Sequence, residues 1–289
     1  MKLQPVVREE HLSRAEFLSA YRRAQRPVVL AQLTADWPAR GKWNFDYLRE
    51  VAGDTVVPLY ANRQRDAHNY QYAHAAEMPL RDYLDRLEAG ESDLRVFSFN
   101  ILSAMPTLAR DFSFPDMGLK LFDKVAFLFA GGRGARVQMH FDIDVPELLL
   151  CHFGGRKRVM LFPPAQTRHI YRVPFSFSSL REVDYDQPDY TRFPALRRLE
   201  GYTAELGHGD VLYIPSGYWH YIVYEEPGFS VSLRALPRRP GNVLRMLHNL
   251  LFVRTIERGM RKLYGQRWVA RNERRAVEGT NRRLRRSGV

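Results

Sequence analysis

The 289-residue chain has one cysteine, Cys151, which excludes an internal disulfide and fits a reducing compartment. Within "ELLLCHF" that thiol reads as a small buried apolar group rather than a reactive one. No apolar run reaches the ~18 residues that a membrane-spanning helix needs. The opening "MKLQPVVREEHLSRAEF" lacks the apolar stretch of a secretory leader. Internal repeats and low-complexity blocks are missing as well. These absences predict a cytoplasmic protein with no membrane partner.

What is present is enough to build a core. Hydrophobic residues make up 45% and aromatic residues 12% of the chain, which excludes wholesale disorder. The length suits one large domain, or a domain with an appendage. The net charge of +12 is concentrated at the C-terminus. From Arg254 to Val289 there are twelve Lys and Arg against Glu257, Glu273 and Glu278, a net +9. Such a segment attracts nucleic acid or acidic partners, or it is simply the solvated face of a helix. Tyr264 and Trp268 are its only aromatics, so a platform for stacking bases is not indicated.

Three stretches differ in period. Residues 1–94 read as mixed helices and strands packed on a core. In "SRAEFLSAYRRAQ" Ser13 is an N-cap and Glu16 completes a capping box. "RPVVLAQL" is a short strand, and "NFDYLREVAG" and "PLRDYLDRLEAG" are helices. Residues 95–239 change to short apolar runs punctuated by Gly and Pro, with strands expected at 95–102, 124–130, 135–141, 147–153, 157–162, 211–214, 219–224 and 229–235. This is the pattern of a jelly roll or sandwich, so the fold class is mainly β with flanking helices. "HFGGRKRV" signals a hairpin through Gly154–Gly155, and 165–200 reads as a long insertion loop. Residues 240–289 return to a helical period. Val243, Leu244, Leu247, Leu250, Leu251, Ile256 and Leu263 form an apolar stripe that must pack on its own barrel or on a second copy.

"VQMHFDIDVPELLLCHFGGRKRVMLFPP" carries His140 and Asp142 at i and i+2, hence on one face of an extended segment. His220 opens a later strand after the "YIPSGYW" corner. Two imidazoles and one carboxylate on one barrel face make the facial triad that suits Fe(II), because it leaves coordination positions open. Asp144 is a rival to Asp142. The remaining histidines, His11, His68, His74, His152, His169, His208 and His248, read as structural.

The motifs "VQMHFD", "GGRKRVMLFPP" and "LGHGDVLYIPSGYWHYI" resemble the Jumonji C and cupin-like 2-oxoglutarate oxygenases. The likeness is greatest to the branch containing the asparaginyl hydroxylase of hypoxia-inducible factor and the tRNA wybutosine hydroxylase. "RPVVLAQLTADWPARGKWNFDYLREVAGDTVVPL" is similar to that branch's entry segment, and the likeness covers roughly residues 25–236. It implies a double-stranded β-helix, with His140, Asp142 and His220 as iron ligands. Lys157 matches the lysine that pairs with the distal carboxylate of 2-oxoglutarate. It further implies O₂ and 2-oxoglutarate as cosubstrates, succinate as a product and hydroxylation of an unactivated C–H bond.

Some positions depart from the asparaginyl hydroxylase. Val137 replaces a carboxylate-binding threonine, Phe97 a tyrosine and Pro146 an active-site asparagine. Asn100, Ser232 and Arg234, the last standing in place of an asparagine, are polar residues on inward strands that could rebuild those contacts. Arg234 therefore competes with Lys157 for the cosubstrate carboxylate. Tyr60, Phe97, Phe99, Tyr218 and Trp219 line the pocket or fill core. The expected substrate is a protein or peptide side chain. The alternatives are tRNA bound through the basic tail, a small molecule, or a silent cupin-fold binding protein. A homodimer through the C-terminal helices is also expected.

Overall fold

The computed structural model describes residues 1–61, 74–91 and 93–286; His68 lies outside them. In chain order the described strands are β1 (Lys2–Pro5), β2 (Val7–Glu9), β3 (Val28–Leu30), β4 (Val56–Ala61), β5 (His74–Pro79), β6 (Leu94–Asn100), β7 (Phe127–Gly131), β8 (Arg136–His140), β9 (Glu147–Phe153), β10 (Lys157–Phe162), β11 (Glu200–Leu206), β12 (Val211–Ile214), β13 (Trp219–Tyr224) and β14 (Gly228–Ala235). They form two facing sheets. The larger runs β2-β3-β12-β9-β14-β7-β6-β4-β5 and the smaller β1-β11-β10-β13-β8. From β7 to β14 the chain alternates between sheets, except that β10 and β11 pair with each other in the smaller one, in the winding of a double-stranded β-helix, as the resemblance implies. Residues 1–94 add β1 to the smaller sheet and β2–β5 to the larger.

The strand faces explain this division. Alternate residues of β9 point to opposite sides. Leu148 and Leu150 join Val159, Leu161, Leu212 and Ile222 inside the barrel. Leu149, Cys151 and Phe153 face outward into a core with Trp43, Leu84 and Phe229. Every residue of β9 is buried, so Cys151 sits in the apolar role expected of it.

Two expectations are corrected. Gly154–Gly155 does not close a hairpin, because β9 pairs with β12 and β14 while β10 pairs with β11 and β13. The glycines instead turn the chain from one sheet to the other. Gly155 has φ 55°, and a Cβ there would meet the Pro227 carbonyl oxygen at 2.3 Å. The stretch 165–200 is not a free loop either. Ile170, Tyr171, Leu180, Val183, Tyr185, Phe193 and Leu196 bury against Trp219 and Tyr221 on the outer face of the smaller sheet, so irregular backbone is held by a core of its own.

The N-terminal capping box is present, Ser13 and Glu16 each closing on the other's backbone N–H. At the C-terminus, a helix over Pro240–His248 runs through one π-helical turn into a helix over Arg254–Arg286. Gly265 (φ 50°, ψ −128°) bends it. Beyond the bend Trp268, Asn272, Ala276 and Thr280, spaced by four, are buried on one face. Tyr171 donates to Asn281 Oδ1 at 2.7 Å and ties that face to the insertion. Before the bend Leu244, Leu247, Leu251, Phe252, Ile256, Leu263 and Tyr264 remain exposed. No helix among the described residues is long and apolar enough to cross a membrane.

Candidate active site

His140 ends β8 and His220 lies near the start of β13; the two are paired across the sheet. The same ladder pairs Val137 with Ile222, so a β-bulge sits between the pairs. That extra residue matters. Val137 and His140 are three apart and would face opposite sides of a regular strand; the bulge lets both point inward. Asp142 follows two residues after His140, in the turn that leaves the strand. Side-chain donor atoms of His140, Asp142 and His220 lie within 4.8 Å of one another, the only such group of three among the described residues.

Both imidazoles are prepared for a metal. His140 Nδ1 lies 2.7 Å from the Gln138 carbonyl and His220 Nδ1 3.2 Å from the Tyr218 carbonyl. If each Nδ1–H donates there, the lone pair is left on Nε2, turned toward the centre. Burial, aided by repulsion from His220, lowers the His140 pKa to about 3. Burial also lowers that of His220. Burial opposes the Asp142 carboxylate, yet the Arg234 guanidinium holds its pKa below the usual carboxylate range. Neutral imidazoles beside a carboxylate are the charge state a divalent ion requires, with no proton to displace.

Arg234 explains part of this. Its Nη2 donates to Asp142 Oδ2 at 3.2 Å and to Asp144 Oδ1 at 2.7 Å. Asp144 thus shares Asp142's cation, and it does not belong to the three-residue donor group. The guanidinium sits at the metal end of the barrel, committed to two carboxylates.

The other end holds Lys157, which is 1% exposed. Its Nζ donates to Ser230 Oγ at 2.6 Å and lies 4.1 Å from the centre of the Tyr224 ring. No carboxylate lies within ion-pair distance of it among the described residues. Burial accordingly lowers its pKa to about 7. Ser230 also meets His152 Nδ1 at 2.9 Å, and His152 Nε2 is buried with no hydrogen-bond partner.

The remaining expected residues separate. Ser232 shares the inward face of β14 with Ser230 and Arg234, and its Oγ is buried without a partner. The Asn100 amide is spent on the backbone: Oδ1 accepts from Leu102 and Ala126 N–H, and Nδ2 donates to the Lys124 carbonyl. Trp219 is core outside the barrel, packed edge-on to Phe141 at 4.8 Å. Tyr218 lies in the inner cluster, and Tyr60, Phe97 and Phe129 form a chain of edge-to-face rings. Sequence reasoning passed over His152 and Ser230. The one signal was their register: Ser230, Ser232 and Arg234 alternate along β14, and His152 continues the inward set of Leu148 and Leu150.

Residues 14–234 match the family described as "Cupin-like domain". The chain belongs to that family. It is 31% identical over 234 residues to Jumonji C domain-containing protein 5 of Drosophila melanogaster, covering 75% of this chain and 56% of that protein. The tRNA wybutosine-synthesizing protein 5 of Gallus gallus is 29% identical over 254 residues, 80% of this chain and 77% of its own length. Lysine-specific demethylase 8 of Xenopus tropicalis is 30% identical over 224 residues, 75% and 49% of the two chains. The chain therefore spans about half the length of the first and third of these relatives. Family members of this kind use Fe(II) and 2-oxoglutarate. Membership and the His–Asp–His centre together support a 2-oxoglutarate oxygenase.

Proposed function

We propose that the chain is an Fe(II)- and 2-oxoglutarate-dependent hydroxylase acting on a C–H bond of a protein or peptide side chain. One observation carries the reading. A single barrel holds a His–Asp–His donor group at one end and, at the other, a buried ammonium with no carboxylate partner among the described residues. A cation desolvated in this way is stable only if an anion arrives to meet it.

In this assignment His140 and His220 through Nε2, with Asp142, hold the metal. Arg234 fixes the Asp142 carboxylate and spreads the charge of Asp144. Lys157 pairs with the distal carboxylate of 2-oxoglutarate, and Ser230 and His152 hold the ammonium in place. Ser232 offers a free hydroxyl on the same face. When bound, the metal and cosubstrate supply the activation of O₂ and the oxidising equivalents for the C–H bond. Val137, Leu150, Val159, Leu161 and Ile222 exclude water from the space between.

The test is metal and cosubstrate binding followed by turnover. Purified protein should bind one Fe(II) anaerobically, and with O₂ and 2-oxoglutarate it should release succinate. His140→Ala should lose the metal; stoichiometric Fe(II) in that variant sinks the ligand assignment. Binding without succinate across substrate screens would favour a silent binding protein. A second reading, a tRNA substrate, is favoured by the 77% coverage of the wybutosine relative and the +9 segment from Arg254. RNA retention lost on truncation after Gly265 supports that reading.

A further inference from the structure

Phe141 lies in sequence between two of the proposed metal ligands, its ring turned to the outer face of the smaller sheet, and two guanidinium groups lie over that ring. Arg172, from the insertion, lies 5.2 Å from the ring centre and Arg245, from the C-terminal helix, 4.6 Å from it. Arg245 also packs on the corner that leads to His220: a Cβ on Gly217 would come within 3.0 Å of its Nη1. The helix bearing Arg245 is anchored beside the same centre, Asn249 donating to the Ile143 carbonyl at 2.9 Å. Three separate segments thus bring two cations to one ring at the strand end whose neighbouring residues carry the centre.

These cations lack what comparable arginines have. Arg8 sits on Asp210, Arg22 on Glu147, Arg158 on Asp186 and Glu225, and Arg234 on Asp142 and Asp144. Among the described residues neither Arg172 nor Arg245 reaches a carboxylate. Arg172 donates once, to the Ser176 carbonyl at 3.1 Å. Burial, with repulsion from Arg245, lowers the Arg172 pKa to about 10, and burial lowers that of Arg245. A ring face attracts a cation but does not neutralise it. Two like charges held together and half-desolvated need an anion that comes from outside.

We propose that Arg172 and Arg245 form a clamp for one carboxylate of the substrate, an Asp or Glu side chain close to the residue presented to the His140–Asp142–His220 centre. The planar fork of a guanidinium matches a carboxylate. Two guanidinium groups gathered over a single ring match one anion on a side chain rather than the extended run of a phosphate backbone. The clamp rests on the peptide-hydroxylase reading and names the charge of its substrate.

The experiment uses the full chain without metal, a fluorescein-labelled tetraglutamate peptide, a tetraglutamine control and a labelled tetrauridylate, with binding read by fluorescence anisotropy. Tetraglutamate should bind and tetraglutamine should not. R172Q and R245Q should each weaken binding about tenfold, the worth of one charge-assisted hydrogen bond. R172K and R245K keep the charge but not the fork and should bind more weakly than wild type yet more tightly than the Gln variants. They also guard against misfolding, and loss as complete as in the Gln variants overturns the clamp. Unchanged affinity in the double Gln variant overturns it too. So does tetrauridylate, rather than the peptide, being the ligand that the Gln variants release. Succinate formation by wild-type protein is read separately: capture without turnover supports the clamp and counts against the oxygenase, and turnover without capture does the reverse.

Discussion

Lys157 makes the sharpest energetic prediction. Its ammonium is fully buried against Ser230 and Tyr224, and its pKa falls from an ordinary value of 10.5 to about 7. Above pH 7 the folded protein has released this proton while the unfolded chain still holds it. Stability therefore rises with pH in that window, at up to about 1.4 kcal/mol per pH unit. From pH 7 to 9 the gain for the metal-free protein is about 2 kcal/mol, since the folded state starts half-protonated. Lys157→Met removes the titration. It loses one hydrogen bond and one ring contact, together about 2 kcal/mol, against a desolvation cost at pH 7 of up to about 4 kcal/mol. The variant should thus be more stable than wild type at pH 7 by about 2 kcal/mol, with the difference gone by pH 9. Urea unfolding of both proteins at pH 7, 8 and 9 measures this, and taking the difference cancels the tyrosines and Cys151. Because the proposed cosubstrate needs the protonated amine, its affinity should fall roughly tenfold per pH unit above 7 in wild type. Parallel stability curves for the two proteins, or a variant less stable at pH 7, would refute the account of Lys157 as an unneutralised cation.

Arg234→Met leaves Asp142 and Asp144 facing each other without their shared cation. The metal-free protein should lose about 2–3 kcal/mol at pH 7, and Zn²⁺ should raise its melting temperature more than that of wild type; equal shifts count against the pairing. Gly155→Ala forces a Cβ into the Pro227 carbonyl at a left-handed position, costing about 1–3 kcal/mol in urea unfolding; an unchanged midpoint would show that the corner is not closely packed. The exposed stripe at Leu244, Leu251, Phe252 and Leu263 is proposed to pack on the same helix of a second copy. Light scattering should then give a dimer that Leu251→Glu with Leu263→Glu converts to monomer, and a monomeric wild type removes the idea.

The strands of the barrel were legible in the sequence because short apolar runs bounded by Gly and Pro are a local property. β9, β10, β12 and β13 begin and end where those runs do. Pairing is not local. Gly154–Gly155 announces a turn, but nothing in those residues says whether the next strand folds back or crosses to the facing sheet. β11 went unseen because Glu200, Tyr202 and Thr203 interrupt its apolar pattern. The donor group at His140, Asp142 and His220 was visible because its spacing on an extended strand is itself the geometric signal. Ser230 and His152 carry no such mark: a serine and a histidine on separate strands look like ordinary polarity until β14 and β9 are paired, Ser230 opposite His152. The reverse holds for Asn100, whose polar character on a presumed inward strand belongs to a helix cap.

The charges inside the barrel carry one more consequence. With Lys157 protonated, Lys157 and Arg234 match the charges of Asp142 and Asp144, buried Arg95 adds a further cation that acts on His140 and Tyr224, and the three histidines are neutral. A divalent metal alone adds two positive charges to this interior and a dianion alone adds two negative ones; in a low-dielectric space a two-charge change is costly. Bound together their charges cancel, in the proposed assignment with the metal at the Asp142 end and the dianion paired with Lys157. Each should therefore strengthen the other's binding, and by linkage the two factors must be equal. A coupling of about 1–3 kcal/mol corresponds to about 5–150-fold. Calorimetry with Zn²⁺ as a redox-inert metal measures it: 2-oxoglutarate affinity with and without Zn²⁺, and Zn²⁺ affinity with and without 2-oxoglutarate. In Lys157→Met the dianion loses its compensating charge, so its affinity should fall with Zn²⁺ present while Zn²⁺ alone still binds. Independent binding of the two in wild type would mean that the interior is more hydrated than its side chains suggest, and that Lys157 and Arg234 do not govern what enters.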